Sequence, residues 1–190
     1  MLQREGELVE VLRRRLGWDR ASEALLGAAG DLGFAEEQVV SPVCAAYALL
    51  KLSFQADEVS RLLTWQDFEL LAGALFRASG YRVRNNVVLT KPRVQIDVVA
   101  EGDSVVLSVD CKHYRREQGP ASLERVALAQ LKRSRALRRK AGGHKPIASV
   151  ILSMSEPEGK FVKGVAVVPV RTLRSFLTSL DAYAGCLELR

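Results

Sequence analysis

The most constraining feature of this 190-residue sequence is residues 105–116, which read VVLSVDCKHYRR. A run of apolar, mostly β-branched residues predicts a buried strand. The run nevertheless ends in Asp110 and Lys112, followed by a cluster of positive charge. Side chains alternate between the two faces of a strand, so Val106, Ser108, Asp110 and Lys112 share one face. The sequence therefore predicts an acid and an ammonium group side by side where a buried strand ends.

The preceding strand carries a second acid at a matching position. Residues 93–100, RVQIDVVA, are joined to the next strand by the tight turn EGDS, and pairing across this turn brings Asp97 towards Asp110 and Lys112. Two neighbouring carboxylates repel each other unless a cation lies between them, and Mg²⁺ prefers oxygen ligands. A bound cation activates water, and an ammonium group stabilises developing negative charge. The three residues therefore predict metal-assisted hydrolysis of a phosphodiester.

A helix before these strands is predicted to add a third acid. Its sequence, TWQDFELLAGALFRASGY, begins with a Thr64–Asp67 capping box and continues with apolar residues at helical spacing. Glu69 lies on the same stripe as Trp65, which we interpret as a core aromatic. An inward-pointing acid costs free energy unless it finds a partner. A metal site, reached directly or through water, would supply that partner.

A basic helix is predicted over residues 121–140. Gln130 lies on its apolar stripe, where the amide could bind water, phosphate or Lys112. Residues 111–145 carry 11 basic and only 2 acidic residues, a local excess that is typical of proteins that bind the phosphate backbone. The residues expected to hold DNA are Arg115, Arg116, Lys132, Arg133 and Arg135.

The predicted elements from residue 64 onward follow the order α-β-β-β-α-β-β-α, ending in a closing helix over residues 170–184. A three-stranded meander followed by a helical crossover predicts an α/β fold, with a mixed sheet flanked by helices.

Residues 1–63 show helical patterns only, with Pro42 suited to a first helical turn. We therefore predict an N-terminal helical subdomain over residues 1–63 and a second domain over residues 64–190. The N-terminal helices are expected to be short and interrupted at glycines 27, 30 and 33.

Several classes of protein are disfavoured by composition. No apolar run reaches the ~20 residues needed to span a bilayer, and the charged N-terminal stretch lacks a signal-peptide core. The three cysteines are scattered without a CxxC pair, which argues against a zinc ribbon or a disulfide scaffold and favours a cytoplasmic location. The segments AGGHK and EPEGK lack the P-loop spacing, so no nucleotide cofactor is expected.

Three motifs together resemble the PD-(D/E)xK nuclease superfamily, which has the restriction-endonuclease-like fold. They are TWQDFE, QIDVV and VDCKHY, and they lie within a stretch from residue 64 to about residue 180 that is most similar to the Mrr-like branch, related to archaeal Holliday-junction resolvases. Ile96 stands where the family pattern has a proline. Residues 1–63 lie outside the pattern.

The resemblance implies a role for each residue of the site. It implies that Asp97 and Asp110 bind metal, that Glu69 is the accessory acid, that Lys112 is the catalytic lysine and that Gln130 is the helix glutamine. It further implies a Mg²⁺- or Mn²⁺-dependent endodeoxyribonuclease of the restriction, repair or recombination type. Cutting both strands needs two such sites, so a homodimer is expected, with a monomeric nicking enzyme as the alternative.

Other interpretations of the same residues stay open. Asp110 and Lys112 could form a surface ion pair, and Glu69 could be a solvated helix acid. The chain as a whole could be a DNA- or RNA-binding module that keeps the fold without turnover, with residues 1–63 mediating assembly. A buried site with converging side chains would distinguish the nuclease from the surface ion pair.

Overall fold

A computed structural model describes residues 2–113, 118–142, 145–154 and 160–187 of the chain. Short 3₁₀ segments lie at Glu36–Gln38, Val170–Thr172 and Leu180–Cys186. None of the described helices combines the length and the apolar character that crossing a membrane requires. The α-helices are α1 (Leu2–Leu16), α2 (Trp18–Leu32), α3 (Pro42–Lys51), α4 (Ala56–Leu62), α5 (Trp65–Ala78), α6 (Pro120–Ala141) and α7 (Leu173–Thr178). The strands are β1 (Arg82–Thr90), β2 (Arg93–Glu101), β3 (Val106–Lys112), β4 (Ile147–Ser153), β5 (Lys160–Val162) and β6 (Val165–Pro169).

The six strands form one mixed sheet in the order β1-β2-β3-β4-β6-β5. Strands β1 to β3 are an antiparallel meander, whereas β3, β4 and β6 run parallel to one another. The parallel step from β3 to β4 needs a long crossover, and α6 supplies it. The predicted α/β class, with a mixed sheet flanked by helices, is therefore confirmed.

The two ladders that β3 forms have different lengths. Its antiparallel ladder with β2 stops at the pair Val98↔Val109, whereas its parallel ladder with β4 continues to Lys112↔Ser153. The last three residues of β3 are thus held on one side only. We call the opening between β2 and β3 beyond this last pair the strand fork, and it positions the candidate site.

Alternate residues of β3 face different helices. Leu107 and Val109 are buried in the cluster that contains Phe68 and Phe76 of α5. Ser108 instead contacts α6. The sheet therefore lies between α5 and α6, which is the alternation that strand parity predicts.

The N-terminal helices extend the core on the α5 side of the sheet. Leu8 and Leu12 of α1 and Leu49 of α3 are fully buried, and they belong to the same apolar cluster as Phe68 of α5. Burial of each of these side chains contributes about 1.5–3 kcal/mol. The division into two domains at residue 63 stays a prediction. A core shared by the N-terminal helices and the sheet is compatible with one domain or with two.

Helix α2 is longer and less interrupted than expected. Gly27 and Gly30 lie inside α2, so the predicted breaks there are wrong, whereas Gly33 ends the helix in the left-handed conformation with φ 66°. The neighbouring small and apolar residues of α2, including Ala28 and Ala29, are buried against the other helices. That packing outweighs the cost of about 1 kcal/mol for each interior glycine.

The C-terminal region also differs from the prediction. The expected closing helix over residues 170–184 is broken into a 3₁₀ turn, the six-residue α7 and a second 3₁₀ segment. The hydroxyl group of Thr178 donates to the carbonyls of Arg174 and Ser175, and such side-chain bonds compete with helix continuation. The short strand β5 was not predicted, although Lys163 and Gly164, both with positive φ, form the two-residue hairpin that pairs it with β6.

The three glycines of the α2 region provide a test of this description. A Cβ atom at Gly27 or Gly30 would meet no atom within 4 Å. We therefore expect Gly27→Ala and Gly30→Ala each to raise the free energy of unfolding by about 0.5–1 kcal/mol. Gly33→Ala should lower it by about 1 kcal/mol, because an L-residue resists positive φ. Urea denaturation measures the free energy of unfolding of all three variants. A change of the same sign in all three would contradict the end of α2 at Gly33.

Candidate active site

The strand fork places Asp97 opposite Asp110. Continuing the β2–β3 register one step beyond Val98↔Val109 pairs these two positions. At the fork the backbone N–H of Cys111 has no strand partner on the β2 side, and it donates instead to Oδ2 of Asp97 at 2.7 Å. A buried N–H must find an acceptor, so this bond fixes the Asp97 carboxylate at the end of β3.

Asp110 is a buried carboxylate flanked by two cations. Only 3% of the residue is exposed. Nζ of Lys112 lies 2.8 Å from Oδ2, and Nη1 of Arg133, from α6, lies 3.4 Å from Oδ1. The lysine contact is an ion pair without hydrogen-bond geometry, and Oδ2 has no hydrogen-bond donor in the described part of the chain. The pair is thus not the solvated surface ion pair considered above, because its acid lies in the interior.

Glu69 approaches the fork from α5. It is 7% exposed, so it is not a solvated helix acid. Burial, together with the negative charges of Asp97 and Asp110, raises the pKa of Glu69 to about 7, and Lys112 partly opposes this rise. This electrostatic coupling shows that Glu69 belongs to the same charged environment as the three residues of the strands.

The pKa of Asp97 is raised as well. Burial raises its pKa, the hydrogen bond from the Cys111 N–H lowers it, and Asp110 raises it again. The adjoining Cys111 is half-buried, and desolvation together with the charges of the same acids raises the pKa of its thiol well above the ordinary value. Such a thiol stays protonated and is a poor nucleophile, so Cys111 is not a candidate nucleophile.

Gln130 is fully buried between α6 and β3. Its Nε2 donates to the Ser108 carbonyl at 2.6 Å and to the Ser108 hydroxyl at 3.2 Å. Its Oε1 is buried and accepts no hydrogen bond from the residues described. The side chain therefore anchors α6 to the strand that carries Asp110, and it keeps one acceptor available for a small polar ligand such as water.

The residues predicted to hold DNA fall into three groups. Arg115 and Arg116 lie outside the described residues. Lys132 and Arg135 are exposed on α6. Arg133, on the same helix, turns towards Asp110, so it lies at the fork and not on the outer surface.

The residues at the fork fit a divalent cation in part. A buried carboxylate oxygen without a hydrogen-bond donor, on Asp110, and a second carboxylate at the opposite position, on Asp97, are suitable hard oxygen ligands. In the part of the chain that the structure describes, however, no three His, Cys, Asp or Glu side chains converge closely enough to hold a metal ion by themselves. A cation here would use two carboxylates and water, with Glu69 contributing through water.

Two features near the site were not predicted. Nε2 of His113 lies 3.1 Å from Oγ of Ser60, a fully buried residue of α4, so the N-terminal helices contact the residue that follows Lys112. The two residues are 53 positions apart, and no local pattern reveals such a contact. The prediction that Trp65 is a core residue is wrong, because it is 55% exposed. Trp65 is the first residue of α5, and the buried stripe begins one turn later.

This chain is similar in sequence to known proteins. Residues 60–144 match a family model described as a restriction endonuclease, the Mrr-type catalytic domain. The match includes the residues predicted for the site. The chain is also 32% identical, over 123 residues, to an uncharacterised protein of Archaeoglobus fulgidus, and the alignment covers 64% of this chain and 95% of that protein. The residues at the strand fork thus lie in the part of the chain that is shared.

The buried acid Glu69 gives a test of the electrostatics. Its pKa is raised from 4.5 to about 7, so the folded protein binds more protons than the unfolded chain between these values. Stability should fall as pH rises through that window. In metal-free buffer we expect Glu69→Gln to stabilise the protein at pH 8 by up to ~3 kcal/mol, with little effect at pH 4.5.

Urea denaturation with a chelator, at both pH values, measures this difference. The exposed acid Glu58 on α4 provides the matched control, because Glu58→Gln removes the same charge from a solvated position. An equal effect of Glu69→Gln at both pH values would contradict the assigned environment of Glu69.

Proposed function

Because this chain belongs to the family of restriction endonucleases with an Mrr-type catalytic domain, we propose that it is a metal-dependent endodeoxyribonuclease, which hydrolyses phosphodiester bonds of DNA. The observation that supports this most is the meeting of Asp97, Asp110 and Lys112 at the strand fork. Family membership suggests nuclease activity, and the residues at the fork supply the groups that such a reaction needs.

The two aspartates would hold Mg²⁺ or Mn²⁺. Asp97 is oriented by the Cys111 N–H, and Asp110 has a buried oxygen without a hydrogen-bond donor among the described residues. When bound, the cation would activate water and neutralise charge on the phosphate. Its positive charge would also offset the repulsion between the two carboxylates and Glu69, which otherwise raises the pKa of Glu69.

Lys112 would act at the reacting phosphate. Its ammonium group contacts the buried Asp110, and its side chain is 25% exposed, so the same group would also be accessible to a bound DNA strand. It would orient the attacking water or stabilise charge on the phosphoryl oxygens. Glu69 would hold a water, and Gln130 would fix β3 relative to α6 through Ser108.

The basic helix α6 would hold the DNA backbone. Lys132 and Arg135 are exposed on it, and Arg133 extends the positive charge to the fork. Arg suits bidentate contact with phosphate. Arg115 and Arg116, which follow β3 in sequence, are proposed to bind phosphate as well. These contacts fix the position of the backbone and carry no base specificity.

The N-terminal helices would act as a subdomain that supports β3 and offers a dimer interface. Support for the first role comes from the contact between Ser60 and His113, next to Lys112. A homodimer would supply two active centres for double-strand cleavage. A monomer would nick one strand.

Substitution at the fork gives the direct test of the nuclease. We expect Asp97→Asn, Asp110→Asn and Lys112→Ala each to lower the rate of DNA cleavage with Mg²⁺ by roughly 100-fold or more, because each removes a group that stabilises the transition state. DNA binding should be retained. Cleavage of plasmid and of branched DNA, with and without a chelator, measures the rate. Asp103→Asn, an exposed acid in the β2–β3 turn, is the matched control. Cleavage at the wild-type rate by all three fork variants would overturn the proposal.

A second candidate function is a DNA- or RNA-binding module without turnover. The specific observation in its favour is that Lys112 and Arg133 already neutralise Asp110, while the described residues contain no complete three-ligand metal site. Binding of DNA or RNA by the wild-type protein, with no cleavage of any substrate in Mg²⁺ or Mn²⁺, would favour this module over the enzyme.

The role of α6 predicts a change in salt dependence. Each lysine or arginine that contacts a phosphate releases condensed counterions on binding. We expect Lys132→Ala and Arg135→Ala each to weaken binding equally for every DNA sequence. Each should also reduce the slope of the logarithm of the binding constant against the logarithm of the salt concentration by about 1. Fluorescence anisotropy at several salt concentrations measures the slope. Lys51→Ala, which removes a lysine paired with Asp31 in the N-terminal helices, should leave it unchanged.

A further inference from the structure

The two tryptophans of the chain are both exposed, but their surroundings differ. Trp18 is 65% exposed, and the guanidinium carbon of Arg13 lies 3.3 Å from the centre of its ring. Trp65 is 55% exposed, and within the described ranges it has no such cation or ring contact. The Arg13 guanidinium thus covers one face of the Trp18 ring, whereas no such group covers the Trp65 ring in the described residues.

Trp65 lies one helical turn before Glu69 in α5. Residues i and i+4 of a helix are neighbours on one face, and helical side chains lean towards the N-terminus. The buried Glu69 therefore leans towards the turn that carries Trp65. Phe68, which lies one turn after Trp65 on the same side of α5, packs against His113, the residue after Lys112. The turn that carries Trp65 therefore lies at the α5 side of the fork.

The first turn of α5 holds Trp65 firmly. Thr64 and Asp67, on either side of it, form a reciprocal capping box in which the Asp67 N–H donates to the Thr64 hydroxyl oxygen at 3.1 Å and the Thr64 N–H donates to the Asp67 carboxylate at 2.9 Å. Phe68 packs against the His113 ring with a centroid distance of 6.0 Å, which fixes this turn to the end of β3. The indole is therefore a large apolar surface on a rigid support.

We propose that Trp65 stacks on an unpaired base of the DNA strand whose phosphate lies at the strand fork. The preferred substrate is then DNA with an unpaired or extruded base next to the cleaved bond. This inference rests on the proposed nuclease function and names its substrate class. Aromatic side chains stack on bases of any sequence, and the positive charge of α6 draws the backbone to the same fork.

A second copy of the chain fits this surface less well. A stable protein interface buries about 800 Å² on each partner, whereas one Trp side chain offers at most ~250 Å². A single base matches the area of the indole. Charge also favours a polyanion, because Lys112 and Arg133 lie at the fork and further basic residues are exposed on α6, the helix that carries Arg133.

Tryptophan fluorescence tests the stacking directly. In the Trp18→Phe protein, Trp65 is the one remaining tryptophan, and in the Trp65→Phe protein it is Trp18. Each is titrated in a chelator with a single-stranded oligonucleotide and with a blunt duplex of the same sequence. We expect the single strand to quench the emission of Trp65 strongly and the duplex to quench it weakly. The emission of Trp18 should change with neither.

The DNA affinity of Trp65 variants completes the test. Trp65→Ala should weaken binding of DNA with an unpaired base by roughly 5- to 100-fold, the range expected for the loss of one stacked base. Binding of blunt duplex should change far less, and Trp65→Phe should retain most of the affinity. An equal loss on both substrates, or no quenching of Trp65 by single strands, would overturn the inference.

The outcomes separate this inference from the nuclease proposal. Cleavage of DNA by the wild-type protein without quenching of Trp65 overturns the stacking alone. Quenching of Trp65 without any cleavage supports the stacking and overturns the enzyme. A shift of Trp65 emission with protein concentration in the absence of DNA would assign the surface to a second copy and overturn the inference.

Discussion

The end of the β2–β3 ladder at Val98↔Val109 is the constraint on which the site depends. Where the ladder stops, the Cys111 N–H lacks a strand partner, and the Asp97 carboxylate accepts its hydrogen bond. The same opening admits Lys112 and Arg133 to the buried Asp110. A fully paired strand would have used the backbone group and closed the space. Local loss of pairing thus creates the place where charged groups meet.

Several negative charges in one buried place are costly, and the surroundings offset that cost only in part. Two cations neutralise Asp110, and one backbone N–H stabilises Asp97, but burial and the neighbouring negative charges still raise the pKa of both Asp97 and Glu69. A folded chain tolerates such a group when its large core supplies the necessary stability. Here the core of the N-terminal helices and the sheet is continuous. A site with spare negative charge is suited to binding a cation.

The sequence predicted the parts of the fold that local patterns encode. The capping box at Thr64, the apolar stripe of α5, the hairpin of β2 and β3 and the basic helix α6 all appear where periodicity and turn residues indicated them. The predictions were wrong where packing or side-chain hydrogen bonds overrode the local preference for a helix or a break. Gly27 and Gly30 lie inside α2 because buried neighbours hold that helix, and the region after Val170 breaks because hydroxyl groups there bind the backbone.

The composition of the candidate site could be predicted from the sequence alone, because strand parity puts Asp110 and Lys112 on one face whatever the rest of the chain does. The class of fold followed in the same way from the order of its elements. Only the tertiary structure decided which partners these groups find. The ion pair of Arg133 with Asp110, the contact of Ser60 with His113 and the exposure of Trp65 join or separate residues that are distant in sequence. Such contacts depend on how whole elements pack, and periodicity within one element carries no information about that.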